Sequence, residues 1–143
     1  PWATKTLINY LRDKDSAIRY WGAMGLLMRG KKGLSMTGKY LEKALHDDSP
    51  YVRVVAAEAL GKFGNQDQVT HAVNTLGQIA NPVKNGCFPS MLAMNAIDHL
   101  DEKAKSLLPI IESMPQVPEG VDKRFRGYVG RLVKTTTEEL KNK

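Results

Sequence analysis

The sequence predicts an all-α solenoid of about four stacked helix pairs, and three observations carry that prediction. Residues 11–19 (LRDKDSAIR) align with residues 45–53 (LHDDSPYVR) at a spacing of 34 residues. The alignment continues through Ala23 with Ala57, Leu26 with Leu60 and Gly30 with Gly64. Apolar residues recur three and four positions apart in one segment after another, the period of an α-helix, and nothing reads as the alternation of a strand. Between those segments stand short turns rich in Gly, Pro, Asp and Ser. A helical unit of this length cannot bury its apolar face alone, so copies must stack on their neighbours.

The chain is expected to form one domain over 1–143, with units at about 3–30, 34–64, 67–100 and 101–141. In the first unit a helix near 4–12 turns Thr4, Leu7, Ile8 and Leu11 to one side. Asp15 is the expected N-cap of a second helix over about 16–29. Its stripe reads Ile18, Trp21, Gly22, Gly25 and Leu26, and the two glycines give up helicity but let another helix approach closely. A turn over 30–33 is expected to end the unit.

The second unit is the clearest. A helix near 35–46 turns Tyr40, Leu41, Ala44 and Leu45 inward. Ser49 at the N-cap and Pro50 at the first helical position then start the next helix. Its stripe is Val52, Val55, Ala56, Ala59, Leu60 and Phe63, ended by Gly64. The third unit begins near Asp67 and is broken at Asn81-Pro82, with a loop over 81–90 holding Cys87 and a helix over about 90–100. In the fourth, a helix over 101–113 is expected to kink at Pro109, and a loop over 115–120 leads to a last helix over about 121–141. That helix is expected to bury Phe125, Tyr128, Val129, Leu132 and Val133.

Composition narrows the function classes. Apolar residues at 42% and charged residues at 25% are ordinary for a globular chain. The longest apolar runs fall far short of the roughly 20 residues of a membrane helix, so no span is expected. The single cysteine, Cys87, excludes an internal disulfide. The chain opens on Pro1 and enters a helical pattern almost at once, so it is expected to be a fragment of a larger protein. The net charge of +6 is uneven: residues 29–43 and residues 122–143 each carry a surplus of four positive charges. Arg29, Lys31, Lys32 and Lys39 in the first stretch, and Arg124, Arg126 and Arg131 in the second, are the candidate polyanion-binding residues. A solvated face that only keeps the domain soluble is the competing reading of the same charges.

The run from Asp47 to Gly64 resembles the signature of HEAT and HEAT-like (phycobilisome-lyase type) repeats: Asp47, Pro50, Val52-Arg53, Ala56-Ala57, Ala59-Leu60-Gly61 and Gly64. The first unit is a looser copy. The resemblance implies a right-handed α-α superhelix of HEAT-like, armadillo-like pairs. It also implies that Asp13, Arg19, Asp47 and Arg53 form a hydrogen-bonded ladder between units. A second resemblance, carried by residues 15–30 and 93–98, is to the C-terminal HEAT-like extension of bacterial sulfatases of the N-sulfoglucosamine sulfohydrolase type. It implies a non-catalytic tail of a sulfuric ester hydrolase, periplasmic or extracellular. Its partners would be the catalytic domain of the parent chain, or another protein, and a sulfated glycan.

Chemistry in the chain itself is thin. Cys87-Phe88-Pro89-Ser90-Met91 matches the start of the sulfatase maturation motif but has Met91 where that motif has arginine. It also lacks the strand context and acidic cluster the motif needs. His46, His71 and His99 share no metal-ligand spacing, and there is no Cys-x-x-Cys. The glycine-lysine stretches at 30–33 and 61–64 lack the strand and the Ser/Thr of a phosphate loop. No catalytic residue, metal or cofactor is expected. The chain reads as an interaction domain, with nucleic-acid binding and general protein scaffolding as the alternatives.

Overall fold

The computed structural model describes residues 2–115 and 119–142, and among these the chain is all-α, with helices and turns and no strand. It divides into two compact units, Pro1–Ala72 and Val73–Lys143. The boundary falls inside a helix where the sequence reading expected four units in one run.

The first unit holds α1 (Trp2–Tyr10), α2 (Ser16–Met28), α3 (Gly30–Ala44), α4 (Pro50–Phe63) and the start of α5 (Gln66–Ile79). Helix α4 is its axis: Val52, Val54, Val55, Ala56, Ala57, Ala59 and Leu60 are all buried. A helix that is apolar on nearly every side must be surrounded, and α4 packs on both α2 and α3. The expected stripe was therefore too narrow, because Val54 and Ala57 on its other side are buried as well. Two caps act as the residue types predict. The Asp15 carboxylate accepts the Ala17 N–H at 2.8 Å, and Pro50 sits in the first turn of α4, where no intrahelical N–H is owed. Ser49 holds the cap position without a side-chain hydrogen bond; the Asp47 carboxylate takes the Ser49 N–H instead, at 2.9 Å.

Two expectations about this unit are corrected. The glycine-lysine stretch at 30–33 is not a turn but the first turn of α3, and only Arg29 separates α2 from α3. Gly30 makes the change of direction at φ +61, a conformation that glycine adopts without strain. Gly33 then allows contact, since a Cβ there would stand 2.8 Å from the Arg29 Cβ. Finally, Trp21 lies outside the stripe of α2, 63% exposed. The close approach to α2 is made, as expected, at Gly22 and Gly25, where added Cβ atoms would meet α1 and the chain just after it.

The second unit holds the rest of α5, then α6 (Pro82–Asn85), α7 (Cys87–His99), a 3-10 helix (Asp101–Leu107), α8 (Leu108–Glu112) and α9 (Lys123–Asn142). The expected loop at 81–90 is mostly helical. The Asn81 side chain caps α6 by accepting the Val83 and Lys84 N–H groups, and α7 starts three residues earlier than expected, at Cys87. The expected kink at Pro109 is a break. The 3-10 turn gives way to a fresh helix at Leu108, so Pro109 lies in a first turn, where its missing N–H costs nothing. Helix α9 packs on α7 and α8 through Val129, Val133, Thr136 and Leu140. Phe125 is half-buried against Phe88, ring centroids 5.1 Å apart, but Tyr128 is exposed, contrary to its expected place in the core. Residues 116–118, part of the expected loop at 115–120, lie outside the described residues.

The two glycines of α2 make opposite predictions. A Cβ on Gly22 would lie 2.9 Å from the Leu11 nitrogen and from the Tyr10 Cβ, both fixed by the chain. Overpacking of about 1–3 kcal/mol outweighs the roughly 1 kcal/mol that alanine gains over glycine in a helix, so Gly22→Ala should destabilise. A Cβ on Gly25 would meet only the Leu7 side-chain end, which can turn aside, so Gly25→Ala should be neutral or stabilising. Urea midpoints of the two variants check this; equal losses would show that the two contacts are equally rigid.

Candidate interaction surface

The helix–turn junctions of the first unit are held by one ion pair. Arg19, at the start of α2, forks onto Asp47 in the turn before α4, Nε to Oδ2 at 2.7 Å and Nη2 to Oδ1 at 2.8 Å. The pair is largely sheltered, with side chains 15% and 11% exposed. Arg19 Nη1 also donates to the carbonyls of Asp13 and Lys14, so one guanidinium ties three segments. Burial pushes the Asp47 carboxyl up, but the hydrogen bonds from Arg19 and from the Ser49 N–H overcome it, and the net shift is down. The bond to Asp47 likewise raises the Arg19 guanidinium above its ordinary value.

The other two proposed ladder residues do different things. The Asp13 carboxylate accepts the Asp15 N–H at 2.8 Å, shaping the turn before α2. The Nε of Arg53 is buried, with no hydrogen-bond partner among the described residues. Arg19 reaches its acid 28 residues later; the same step from Arg53 arrives in the sequence at Asn81, an amide already spent on the N–H groups of α6.

The basic residues sort by unit. In the first, Arg29, Lys31, Lys32 and Lys39 are all exposed. Along α3, Lys32, Met36, Lys39 and Lys43 follow at helical spacing, opposite the buried Leu34, Thr37, Leu41 and Ala44. Glu42 stands apart from them, since its carboxylate accepts Gln68 Nε2 at 2.6 Å. In the second unit Arg124 pairs with Asp122 at 3.0 Å. Arg126 is half-buried and donates Nε to the Val121 carbonyl at 2.8 Å, a structural use. Arg131 lies over the exposed Tyr128 ring, 4.7 Å from its centroid.

Tyr40, expected to face inward, is instead half-buried in the wall of a groove in the first unit, about 560 Å³ in volume. The Arg12 guanidinium stands 5.1 Å and the Lys39 ammonium 5.2 Å from the Tyr40 ring centroid. Lys43 lines the same groove, Leu11 and Ala44 supply apolar surface, and Arg19, His46, Asp47 and Asp48 complete its walls. Arg12 and Tyr40 are again 28 residues apart, the offset of Arg19 and Asp47. That shared offset is the signal that finds them.

Other chemistry is sparse. Among the described residues no three His, Cys, Asp or Glu side chains gather to hold a metal ion. Cys87 is not in a loop, as expected, but half-buried at the start of α7. Burial pushes its thiol up, away from the thiolate form that reacts. No helix among the described residues is long and apolar enough to cross a membrane.

The comparisons agree with the geometry of this first unit. A family model described as HEAT repeats matches residues 4–81. No curated protein matches the chain.

The Arg19–Asp47 fork sets an acid limb. Asp47 titrates lower in the folded chain than its ordinary carboxylate value. The unfolded chain therefore takes up the proton first, and this contribution is complete above about pH 4 and lost as pH falls through the folded value. Asp47→Ala should cost about 2 kcal/mol near neutrality, the scale of hydrogen bonds to a charged group. The gap from wild type should shrink toward pH 2 in urea unfolding. A gap independent of pH would mean that packing, not charge, holds the junction.

Proposed function

From a chain that belongs to the HEAT-repeat family, we propose a non-catalytic docking module whose amino-terminal unit engages an anionic partner through the outer side of α3. The observation that carries this reading is the row of Lys32, Met36, Lys39 and Lys43. These residues stand exposed at helical spacing while the acid of that helix, Glu42, is engaged by Gln68. Three like charges on one helix face repel one another and weaken the helix slightly. A facing anion relieves that repulsion, and Met36, 65% exposed, offers an adaptable apolar contact between the charges. Arg29 and Lys31 extend the same basic end of the unit. In the second unit, Arg131 on α9 lies over Tyr128, while Arg124 is already paired with Asp122.

The narrower form of the reading makes the chain the C-terminal part of a sulfatase-like enzyme. Its docking partner would then be the catalytic domain of the parent chain and its polyanion a sulfated glycan. The sequence resemblance is what supports it. The alternative is a basic nucleic-acid-binding module, for which the same row of lysines would contact phosphates.

Binding to heparin and to duplex DNA over a salt series separates these. Lys39→Glu with Lys43→Glu should weaken heparin binding at least tenfold at low salt and leave the unfolding midpoint nearly unchanged. Equal binding of both polymers, lost alike as salt rises, marks unspecific charge attraction. Heparin binding that outlasts DNA binding supports the glycan form. No binding of either by the wild-type chain refutes the anionic partner.

A further inference from the structure

The groove beside Tyr40 is not uniformly basic, and that asymmetry names a partner. Arg12 and Lys39 both lie within 5.2 Å of the Tyr40 centroid, and Lys43 is one helical turn further along α3. Cations on an aromatic face attract it weakly when exposed, by about 0.5–1 kcal/mol. Arg12 and Lys39 therefore stay poised near the ring without being neutralised, and Lys43 adds a third positive charge to the same groove. Around Arg19 the balance reverses. Arg19 is matched by Asp47, while Asp48 and Asp15 add further negative charge close to it. Asp48 is exposed and lines the same groove. One cavity thus offers a positive wall at Tyr40 and a negative corner at Asp48, with Leu11 and Ala44 as apolar surface.

A nucleic acid or a sulfated glycan carries negative charge at every step, so laid along this groove it would be attracted at Tyr40 and repelled at Asp48. A protein segment can alternate its charges. About 560 Å³ lies within the range of clefts that hold small ligands, roughly 300–1,000 Å³, so a few residues can enter. Resting on the docking role proposed above, we infer that this groove receives a short segment of a partner protein. An acidic side chain of that segment sits at Tyr40 among Arg12, Lys39 and Lys43, and a neighbouring basic residue faces Asp48. The arrangement gives direction as well as attraction, because a segment entering in reverse meets like charges at both ends.

The test is charge reversal at the corner, Asp48→Lys, read against two probes by fluorescence anisotropy. One probe is a labelled peptide with two glutamates followed by two lysines, in an otherwise neutral ten-residue chain; the other is labelled heparin. The proposal expects Asp48→Lys to weaken the peptide about fivefold or more and to strengthen heparin. It expects Tyr40→Ala to weaken the peptide, and the peptide with its charges in reverse order to bind the wild type less well. A variant that tightens both probes alike overturns the segment while leaving an anion-docking face intact. Peptide binding unaffected by Arg12→Ala and Tyr40→Ala places the contact elsewhere and also overturns it. If neither probe binds the wild-type chain, the docking role itself fails and the inference with it. Circular dichroism of each variant, matched to the wild type, keeps these readings free of unfolding.

Discussion

Arg19 and Asp47 meet across 28 residues of chain, and most of what the first unit does depends on that meeting. The arginine brings five N–H donors in a rigid plane, which suits a fork onto a carboxylate. Its remaining donors reach the Asp13 and Lys14 carbonyls, and the carboxylate in turn holds the Ser49 N–H. The pair therefore fixes the entry to α2 and the entry to α4 in one network. Fixed entries set where α4 runs, and α4 carries the core. The energetic terms are of different kinds. Burial of Val52, Val55, Leu60 and their neighbours supplies the larger, non-directional part. The fork supplies the direction, since a sheltered charged pair is costly to leave half-made.

Much of this was legible in the sequence, and the rest was not for identifiable reasons. The helix pairs of the first unit follow from the 34-residue repeat, and Asp15 and Pro50 mark helix starts by chemistry that is local. What failed was non-local. Gly30, Lys31, Lys32 and Gly33 have every mark of a turn, yet they form the first turn of α3, where the crowding by Arg29 and Leu26 that a side chain on Gly33 would meet leaves room only for glycine. Val54 and Ala57 lie off the stripe that periodicity picks out. Only the presence of helices on two sides of α4 explains their burial. Trp21 misled through its type, since a large aromatic at helical spacing reads as core although here its ring lies in solvent. In the second unit the prolines were visible but their effect was not. Pro82 and Pro109 each begin a helix where a loop or a kink was expected.

The candidate surface was partly legible in the same way. Composition found the basic stretch but gave it no geometry. It could not separate Lys39, which faces a groove, from Arg126, which is bonded to the Val121 carbonyl. Arg12 and Tyr40 are unremarkable one at a time. They meet because a repeat brings positions 28 apart together, the step that also joins Arg19 to Asp47. The sequence reading used the 34-residue repeat to match like with like. The shorter step of 28 residues joins the first junction to the second at Arg19–Asp47 and Arg12–Tyr40.

Helix α3 has two sides with separate duties. Leu34, Thr37, Leu41 and Ala44 face the core, while Lys32, Met36, Lys39 and Lys43 face out, away from every buried contact of that helix. Substitutions on the outer side should thus change stability by no more than about 0.5 kcal/mol, as at most surface positions. What the fold requires and what it leaves free are written on opposite sides of the same fifteen residues.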